Sequence, residues 1–369
     1  MTKMNIKALV LLSGGLDSML AARVLMEQGI EVTGLSFKSY FFKTDKAKKV
    51  AEQLGIKLIE VDFSQEHLKM VKNPAHGYGK NINPCIDCHG LMLKKAREIL
   101  EGGSVGATLA VAQNQVGASP APTKTMYDLI ATGEVLGERP MSQNKDSLKL
   151  VEKISGLQGK LLRPLSAKLL DETEAEKQGK INRDKLLDIS GRSRQRQLEL
   201  VKKYKIKEYT NPAGGCLLTD REFSNRLKKM IDYWSDCDIN DIDLLKNGRI
   251  RWLTLKDAKE RQGNNKILVV IGRDKKNNEQ LERLKQPGDI LIELVKEVGP
   301  TSLIRGARNR ELGIREFDFE VPKELKIDEL ELDKEKSEEE VINFALMLTG
   351  YYATKTRGKK IKININIIK

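Results

Sequence analysis

Residues 7–25 read KALVLLSGGLDSMLAARVL. Lys7 to Leu12 is a short apolar run of the kind that fills a buried parallel strand. SGGLDS follows at Ser13 to Ser18, and Leu20, Ala21, Val24 and Leu25 then recur on one side of a helix. Gly14 and Gly15 permit a tight turn and the close approach of an anion. The helix start offers unpaired N–H groups and the positive end of the dipole, and Ser13 and Ser18 add hydroxyl donors. A carboxylate at Asp17 would repel bare phosphate, but it fits a magnesium ion that is itself bound to phosphates. A helix cap alone accounts for one polar residue, not for the whole of SGGLDS. No Lys follows a GxxxxG spacing, so the loop is not a Walker A motif.

The neighbouring segments extend the pattern. EVTGLSF (Glu31 to Phe37) reads as a second strand, Lys46 to Leu54 as an amphipathic helix closed by Gly55, and KLIEVDF (Lys57 to Phe63) as a third strand. Strand, helix, strand, helix, strand predicts an α/β fold with a doubly wound parallel sheet. In such a fold the adenine is expected near the end of the second strand, at Leu35, Ser36 and Phe37. Thr132 and Gly133 in ATGEVLGERPMSQ (131–143) end a further strand and are candidate nucleotide contacts. The 369 residues suffice for two or three domains. The first is expected over 1–230, interrupted by a Gly-, Ala-, Ser- and Pro-rich excursion at 101–126. A linker is expected at 231–246 and a second domain over 247–369.

Lys and Arg number 65 against 52 Asp and Glu, a formal charge of +13, which favours a polyanionic partner such as RNA. No apolar run is long enough to cross a membrane, and the N-terminus lacks the pattern of a signal peptide, so a cytoplasmic protein is expected. Four cysteines in such a chain suggest metal or sulfur chemistry rather than a disulfide framework. Cys85 and Cys88 form a CxxC in NPCIDCH, able to face one metal or to act as a dithiol. Cys216 lies in NPAGGCLLTD, where Gly214 and Gly215 bring the backbone close. Three cysteines can ligate three irons of a [4Fe-4S] cluster and leave the fourth open, or one can carry a persulfide that another attacks. Zinc is the structural alternative. Cys237 is a fourth ligand or an inert surface cysteine, the latter being the expectation. His89 is expected to act through its neighbour Cys88 or as a ligand, and His76 has no assigned role.

RSRQRQLELVKKYKIK (192–207) is a basic segment. Arg192, Arg194 and Arg196, two apart, do not share one helical face and are expected to fan toward a phosphate backbone, with Lys202 and Lys203 beyond them. Arg139, Gln143 and Arg163 are further candidates for phosphate or the target nucleotide, as is Lys168. Aromatic residues make up only 5% of the chain, so base stacking is not expected to dominate.

Together SGGLDS, GYGKNINPCIDCH, ATGEVLGERPMSQ, LLRPLSAKLL, GRSRQRQ and NPAGGCLL resemble the PP-loop (ATP pyrophosphatase) tRNA thiolation enzymes. Within these the chain looks most like a 2-thiouridylase-like group of thiouridine synthases. The resemblance covers about residues 5–230. It implies cleavage of ATP to AMP and pyrophosphate, adenylation of a tRNA uridine carbonyl, and replacement of that oxygen by sulfur from sulfide or a cysteine desulfurase. Related enzymes with three cysteines use a [4Fe-4S] cluster. On that pattern Cys85, Cys88 and Cys216 would be its ligands, and Asp17 and its loop would hold magnesium pyrophosphate. Which uridine and which carbonyl is thiolated stays open, with 4-thiouridine favoured over 2-thiouridine. The oligomeric state stays open, a homodimer included. The rivals are an ATP-gated RNA-binding module with structural cysteines and a PP-loop amidase or ligase of a small metabolite.

Beyond 247, strands are expected at 249–255, 266–271, 289–295 and 301–304, helices at 279–284 and 338–352, and a last strand in KIKININIIK, where isoleucine alternates with Lys or Asn. The acidic stretch 320–340 reads as a solvated excursion. VVIGRDKKNNEQL, GPTSLIRG and YYATKTRGKK resemble the RNA-binding domain of NFACT-type ribosome-quality-control proteins. That resemblance implies phosphate contacts from Arg273, Lys275 and Arg305.

Overall fold

The computed structural model describes residues 6–103, 107–110, 127–209, 216–256, 265–307, 315–325 and 334–368. The chain folds as two compact units, Met1–Ser224 and Asn225–Lys369, each built on its own sheet.

The first unit holds strands β1 (Lys7–Leu11), β2 (Glu31–Lys38), β3 (Lys57–Asp62), β4 (Ala107–Ala110), β5 (Leu129–Ala131) and β6 (Leu161–Leu162). Its helices are α1 (Leu16–Met26), α2 (Asp45–Leu54), α3 (Ser64–Lys72), α4 (Cys85–Leu100), α5 (Lys145–Ser155), α6 (Glu174–Lys177) and α7 (Gln195–Lys203). The strands lie in the order β4-β3-β2-β1-β5-β6, parallel except for β4, which runs antiparallel against β3. Successive residues of β1 serve opposite faces. Ala8 and Val10 join Leu20, Val24, Val50 and Leu54 of α1 and α2, whereas Leu9 joins Ile59, Val61, Leu93 and Ala96 toward α4. Both faces are therefore dry, which explains the uninterrupted apolar strands. The expected excursion at 101–126 lies largely outside the described residues; within it, β4 is an edge strand.

Strand order reverses at β1, with β2 and β3 to one side and β5 and β6 to the other. Ligands of open α/β sheets bind beyond the carboxyl ends of the strands at such a reversal, and SGGLDS leaves β1 at this point. The close packing of the turn is enforced by glycine. Gly14 has φ +79°, and a Cβ there would lie 2.4 Å from the Lys46 Cβ. A Cβ on Gly133, just after β5, would lie 2.4 Å from the Ser18 nitrogen. Helix backbone has no cheap way to retreat, so Gly133→Ala is expected to cost roughly 1–3 kcal/mol and, where the turn holds a nucleotide as the sequence leads one to expect, to weaken that binding. Urea melts and nucleotide titration of the full chain check both.

The second unit is a mixed sheet: β7 (Arg249–Leu255), β8 (Lys266–Ile271), β9 (Ile290–Leu294), β10 (Ser302–Arg305), β11 (Arg315–Glu320), β12 (Glu335–Lys336) and β13 (Lys360–Ile367), in the order β11-β13-β9-β10-β8-β7-β12. Ile361, Ile363, Ile365 and Ile367 of β13 are buried and, with Leu253, Val269, Ile292 and Ile304, pack against α11 (Glu338–Tyr352). The stretch 231–246, expected as a linker, is folded. It contains the end of α8 (Arg221–Tyr233) and all of α9 (Ile239–Leu244), and Trp234, Ile242 and Leu244 are buried. Cys237, expected at the surface, is only 2% exposed. Within the acidic 320–340 stretch, Glu335 and Lys336 pair in parallel with β7. Helix α10 (Lys275–Leu284) is capped by Asp274. Among the described residues no helix is long and apolar enough to cross a membrane.

Candidate active site

The turn after β1 orders its own hydroxyls. The Gly15 N–H donates to Ser13 Oγ at 3.2 Å, and Ser18 Oγ donates to the Gly15 carbonyl at 2.9 Å. Asp17, in the first turn of α1, accepts from Arg194 at 3.0 Å through Oδ2. Arg194 also reaches Glu138, at 3.2 Å. The Asp17 carboxyl is pushed up by burial and by Glu138, against the pull of Arg194. Its Oδ1 is buried with no hydrogen-bond partner. An orphaned carboxylate oxygen beside a phosphate-type turn suits an oxygen-seeking magnesium ion, so the residues fit that group. Leu35, Ser36 and Phe37 are all buried in β2.

The thiols gather at the start of α4. Cys85 and Cys88 stand one turn apart on that helix. The Cys216 turn is pinned from two directions. Leu217 N–H donates to the Phe41 carbonyl at 3.1 Å, and Asn81 Nδ2 donates to the Thr219 carbonyl at 2.7 Å. The outcome is three thiols close enough to oppose one another's ionisation. Burial first, then the charges of Cys216, Cys85 and Asp87, push Cys88 far up. Burial carries Cys216 up to about 11, with Leu218 N–H opposing, Cys85 adding and Arg139 opposing. Cys85 is raised by burial against the Arg139 charge. Asp87, between the two helix cysteines, accepts from the His76 ring at 2.7 Å and from the His76 N–H at 2.9 Å. Among the described residues, no three His, Cys, Asp or Glu side chains are arranged to hold a metal ion. The expected [4Fe-4S] ligand set is therefore not supported by the geometry, although soft thiolate donors suit iron in kind.

One loop, 132–139, serves both clusters. Gly133 lies against the start of α1. Glu138 shares Arg194 with Asp17, and Arg139 lies beside Cys85 and Cys216. Between them Glu134 is buried and accepts from Thr132 Oγ1 at 3.1 Å, Arg163 Nε at 3.0 Å and the His89 ring at 2.9 Å. His89 follows Cys88, so Glu134 ties the thiol helix to the loop that packs on the start of α1 at Gly133. Burial raises the Glu134 pKa, but Arg163 and His89 reverse this and bring it to about 2. A pKa depressed by folding gives stability that is present above the usual 4.5 and is lost as pH falls through about 2. Glu134→Ala leaves Arg163 buried with Glu152 as its remaining carboxylate partner, and loss of the charged hydrogen bond is expected to cost roughly 1–3 kcal/mol. It should also flatten the acid limb of a stability–pH curve measured by urea unfolding.

Several expected contacts are corrected. Arg163 is 3% exposed and pairs with Glu134 and Glu152, so it holds the core rather than meeting RNA. Arg305 is also 3% exposed, and binds Asp289 at 2.6 Å and Asp241 at 2.9 Å. Gln143 is buried, with Oε1 unpartnered. Arg192 and Lys202 are exposed. Arg196 meets Asp188, and Lys203 meets Glu27. Lys168 donates to the Asp184 carbonyl. Lys275 and Arg273 are exposed at the start of α10. Gly214 and Gly215 lie outside the described residues. Glu134, Glu138 and Gln197 do not stand out in the sequence as site residues. Glu134 has a signal there all the same: it directly follows Ala131, Thr132 and Gly133.

Residues 6–105 match the family described as the tRNA methyl transferase HUP domain. A tRNA-specific 2-thiouridylase of Treponema denticola is 35% identical over 108 residues, covering 24% of this chain and 30% of that protein. That of Geobacter metallireducens is 32% identical over 119 residues, covering 25% and 32%. The matched stretch thus spans about a third of the curated relatives' length. A solved 4-thiouridine synthetase–RNA complex with bound ATP aligns with a TM-score of 0.34 at 17% identity, covering 65% of this chain and 52% of that one.

Proposed function

We propose that the protein is an ATP-dependent tRNA thiouridine synthase of the PP-loop type, a reading supported by the match of residues 6–105 to the tRNA methyl transferase HUP domain and by the similarity to tRNA-specific 2-thiouridylases. The observation that carries this reading is the 132–139 loop, which packs on the SGGLDS turn at Gly133 and sets the Arg139 charge near enough to Cys85 and Cys216 to favour their thiolates. Activation by ATP followed by sulfur attack requires those two sites to share one substrate position.

A uridine carbonyl oxygen attacks the α-phosphorus of ATP, and pyrophosphate departs. Magnesium bound at Asp17 would neutralise the departing pyrophosphate. The SGGLDS turn orients the phosphates. The terminal sulfur of a persulfide on Cys216, supplied by a cysteine-desulfurase-type donor, attacks the activated carbon, and AMP leaves with the former carbonyl oxygen. Cys85 or Cys88 then attacks the Cys216 sulfur. The new sulfur stays on the base as the thiocarbonyl, and a disulfide remains for an external thiol to reduce. The relatives are named for 2-thiouridine, which supports 2-thiouridine over 4-thiouridine as the product. The exposed Arg192, Arg196 and Lys202 and the second unit, with Arg273 and Lys275, supply phosphate contacts to a folded RNA.

Nucleoside mass spectrometry of tRNA from cells with and without the gene tests the substrate. Loss of 2-thiouridine that returns with the wild type is expected. An unchanged profile, where no redundant enzyme exists, overturns tRNA thiolation. ADP rather than AMP as the nucleotide product overturns the PP-loop chemistry. Iron and sulfide near four each per chain, after preparation without oxygen, would replace the persulfide with a cluster. The RNA-binding rival leaves the shared loop without a purpose. The small-metabolite ligase leaves the basic surface of α7 without one.

A further inference from the structure

Gln197 is 0% exposed, and neither its Oε1 nor its Nε2 has a hydrogen-bond partner. Its amide faces the Asp17 carboxylate and opposes the rise of that carboxyl's pKa as a side-chain hydrogen-bonding group, yet the pair falls short of hydrogen-bond geometry and Asp17 Oδ1 is likewise buried and unmatched. Buried polar atoms are rarely left unmatched, and a cluster of them points to a missing ligand. Arg194, one helical turn before Gln197, bridges Asp17 and Glu138. Helix α7 packs along α1. Its inner face presents Arg194 and Gln197, and Val201 on the same side packs on the α1 core. Its outer face carries Arg196 and Lys203, with exposed Lys202 beside them.

The geometry points to Arg194 and Gln197 as residues of the nucleotide site rather than of the RNA surface. The Gln197 amide and Asp17 Oδ1 would together hold the magnesium of a magnesium–nucleotide complex, and Arg194 would hold a phosphate oxygen. This rests on the ATP-binding reading above. Before nucleotide arrives, Arg194 has two carboxylates as partners. With magnesium bound, Asp17 would no longer need Arg194 as its partner, and the guanidinium, still within reach of Glu138, would be free to hold a phosphate oxygen. The basic segment is in this way two-sided: alternate arginines serve ATP and RNA.

The test uses the full chain with magnesium and an α,β-methylene ATP analogue, which binds without being cleaved. Arg194→Gln is expected to weaken analogue binding about tenfold or more, with tRNA affinity and its salt dependence unchanged. Arg192→Gln with Arg196→Gln is expected to do the reverse and lower the salt slope of tRNA binding by about two. Gln197→Leu is the sharpest variant. It removes an unmatched buried amide, so the free protein should melt at the same or a higher temperature. The magnesium concentration for half-maximal analogue binding should rise, and the analogue-induced rise in melting temperature should shrink. If wild type binds the analogue and Gln197→Leu matches it in both, the inference is overturned. So it is if Arg194→Gln lowers tRNA affinity and leaves the analogue untouched. If wild type does not bind the analogue at all, the ATP-binding reading falls first and this inference with it.

Discussion

Asp17→Asn should leave the chain folded and reduce tRNA-dependent release of pyrophosphate by roughly 10²–10³-fold, the range seen when a charge-stabilising group is removed from a preorganised site. The substitution keeps the shape of the side chain and removes only its charge. Arg194 retains Glu138, so no buried guanidinium is stranded. Folding raises the Asp17 pKa, through burial and Glu138 against Arg194. A raised carboxyl pKa means that ionisation is opposed in the native state, and stability falls as pH rises through it. Neutralising the group should therefore hold or raise the melting temperature while activity is lost. Calorimetry and a pyrophosphate assay on the same preparation check both directions. An inactive variant that also melts early would make Asp17 a structural residue, and an active one would remove it from the metal site.

This pairing of activity against stability explains what was legible in the sequence. The strand–turn–helix at 7–25 could be read because hydrophobic burial, glycine and the helix N-terminus each impose a local pattern. The reversal of strand order at β1 follows from the same local elements. The convergence of Cys216 on Cys85 and Cys88 was signalled only by residue type. What brings them together is Phe41 and Asn81, whose backbone and amide contacts span long stretches of chain. Charge was the least legible property. Arg163, Arg194 and Arg305 read alike as surface cations, yet each is paired with carboxylates. Arg305 gave a clue: it ends an apolar strand, SLIR, in which every residue is buried. A cation at such a position requires a buried partner, here Asp289. Arg194 gave none, because its partner Asp17 lies 177 residues earlier.

Cys216→Ala should abolish thiouridine formation, by on the order of 10³-fold or more, as loss of a nucleophile does. Each bound tRNA should still release one pyrophosphate, because Asp17 and the SGGLDS turn are untouched. The resting thiol should also be slow to alkylate. Its pKa is carried to about 11 by burial, against Leu218 N–H, with Cys85 adding and Arg139 opposing. A free cysteine near 8.5 is partly thiolate at about pH 8, so Cys216 should react with iodoacetamide roughly a hundredfold more slowly. Its rate should keep climbing about tenfold per pH unit well past about pH 9, where a free thiol has levelled off. The like charge of Cys85 contributes to that rise, so Cys85→Ser should speed alkylation of Cys216, whereas Arg139→Gln should slow it. Mass spectrometry of alkylated peptides over a pH series reads all three rates. Rapid labelling of Cys216 at neutral pH, or no response to either neighbour, would separate it from the thiol cluster and from sulfur delivery.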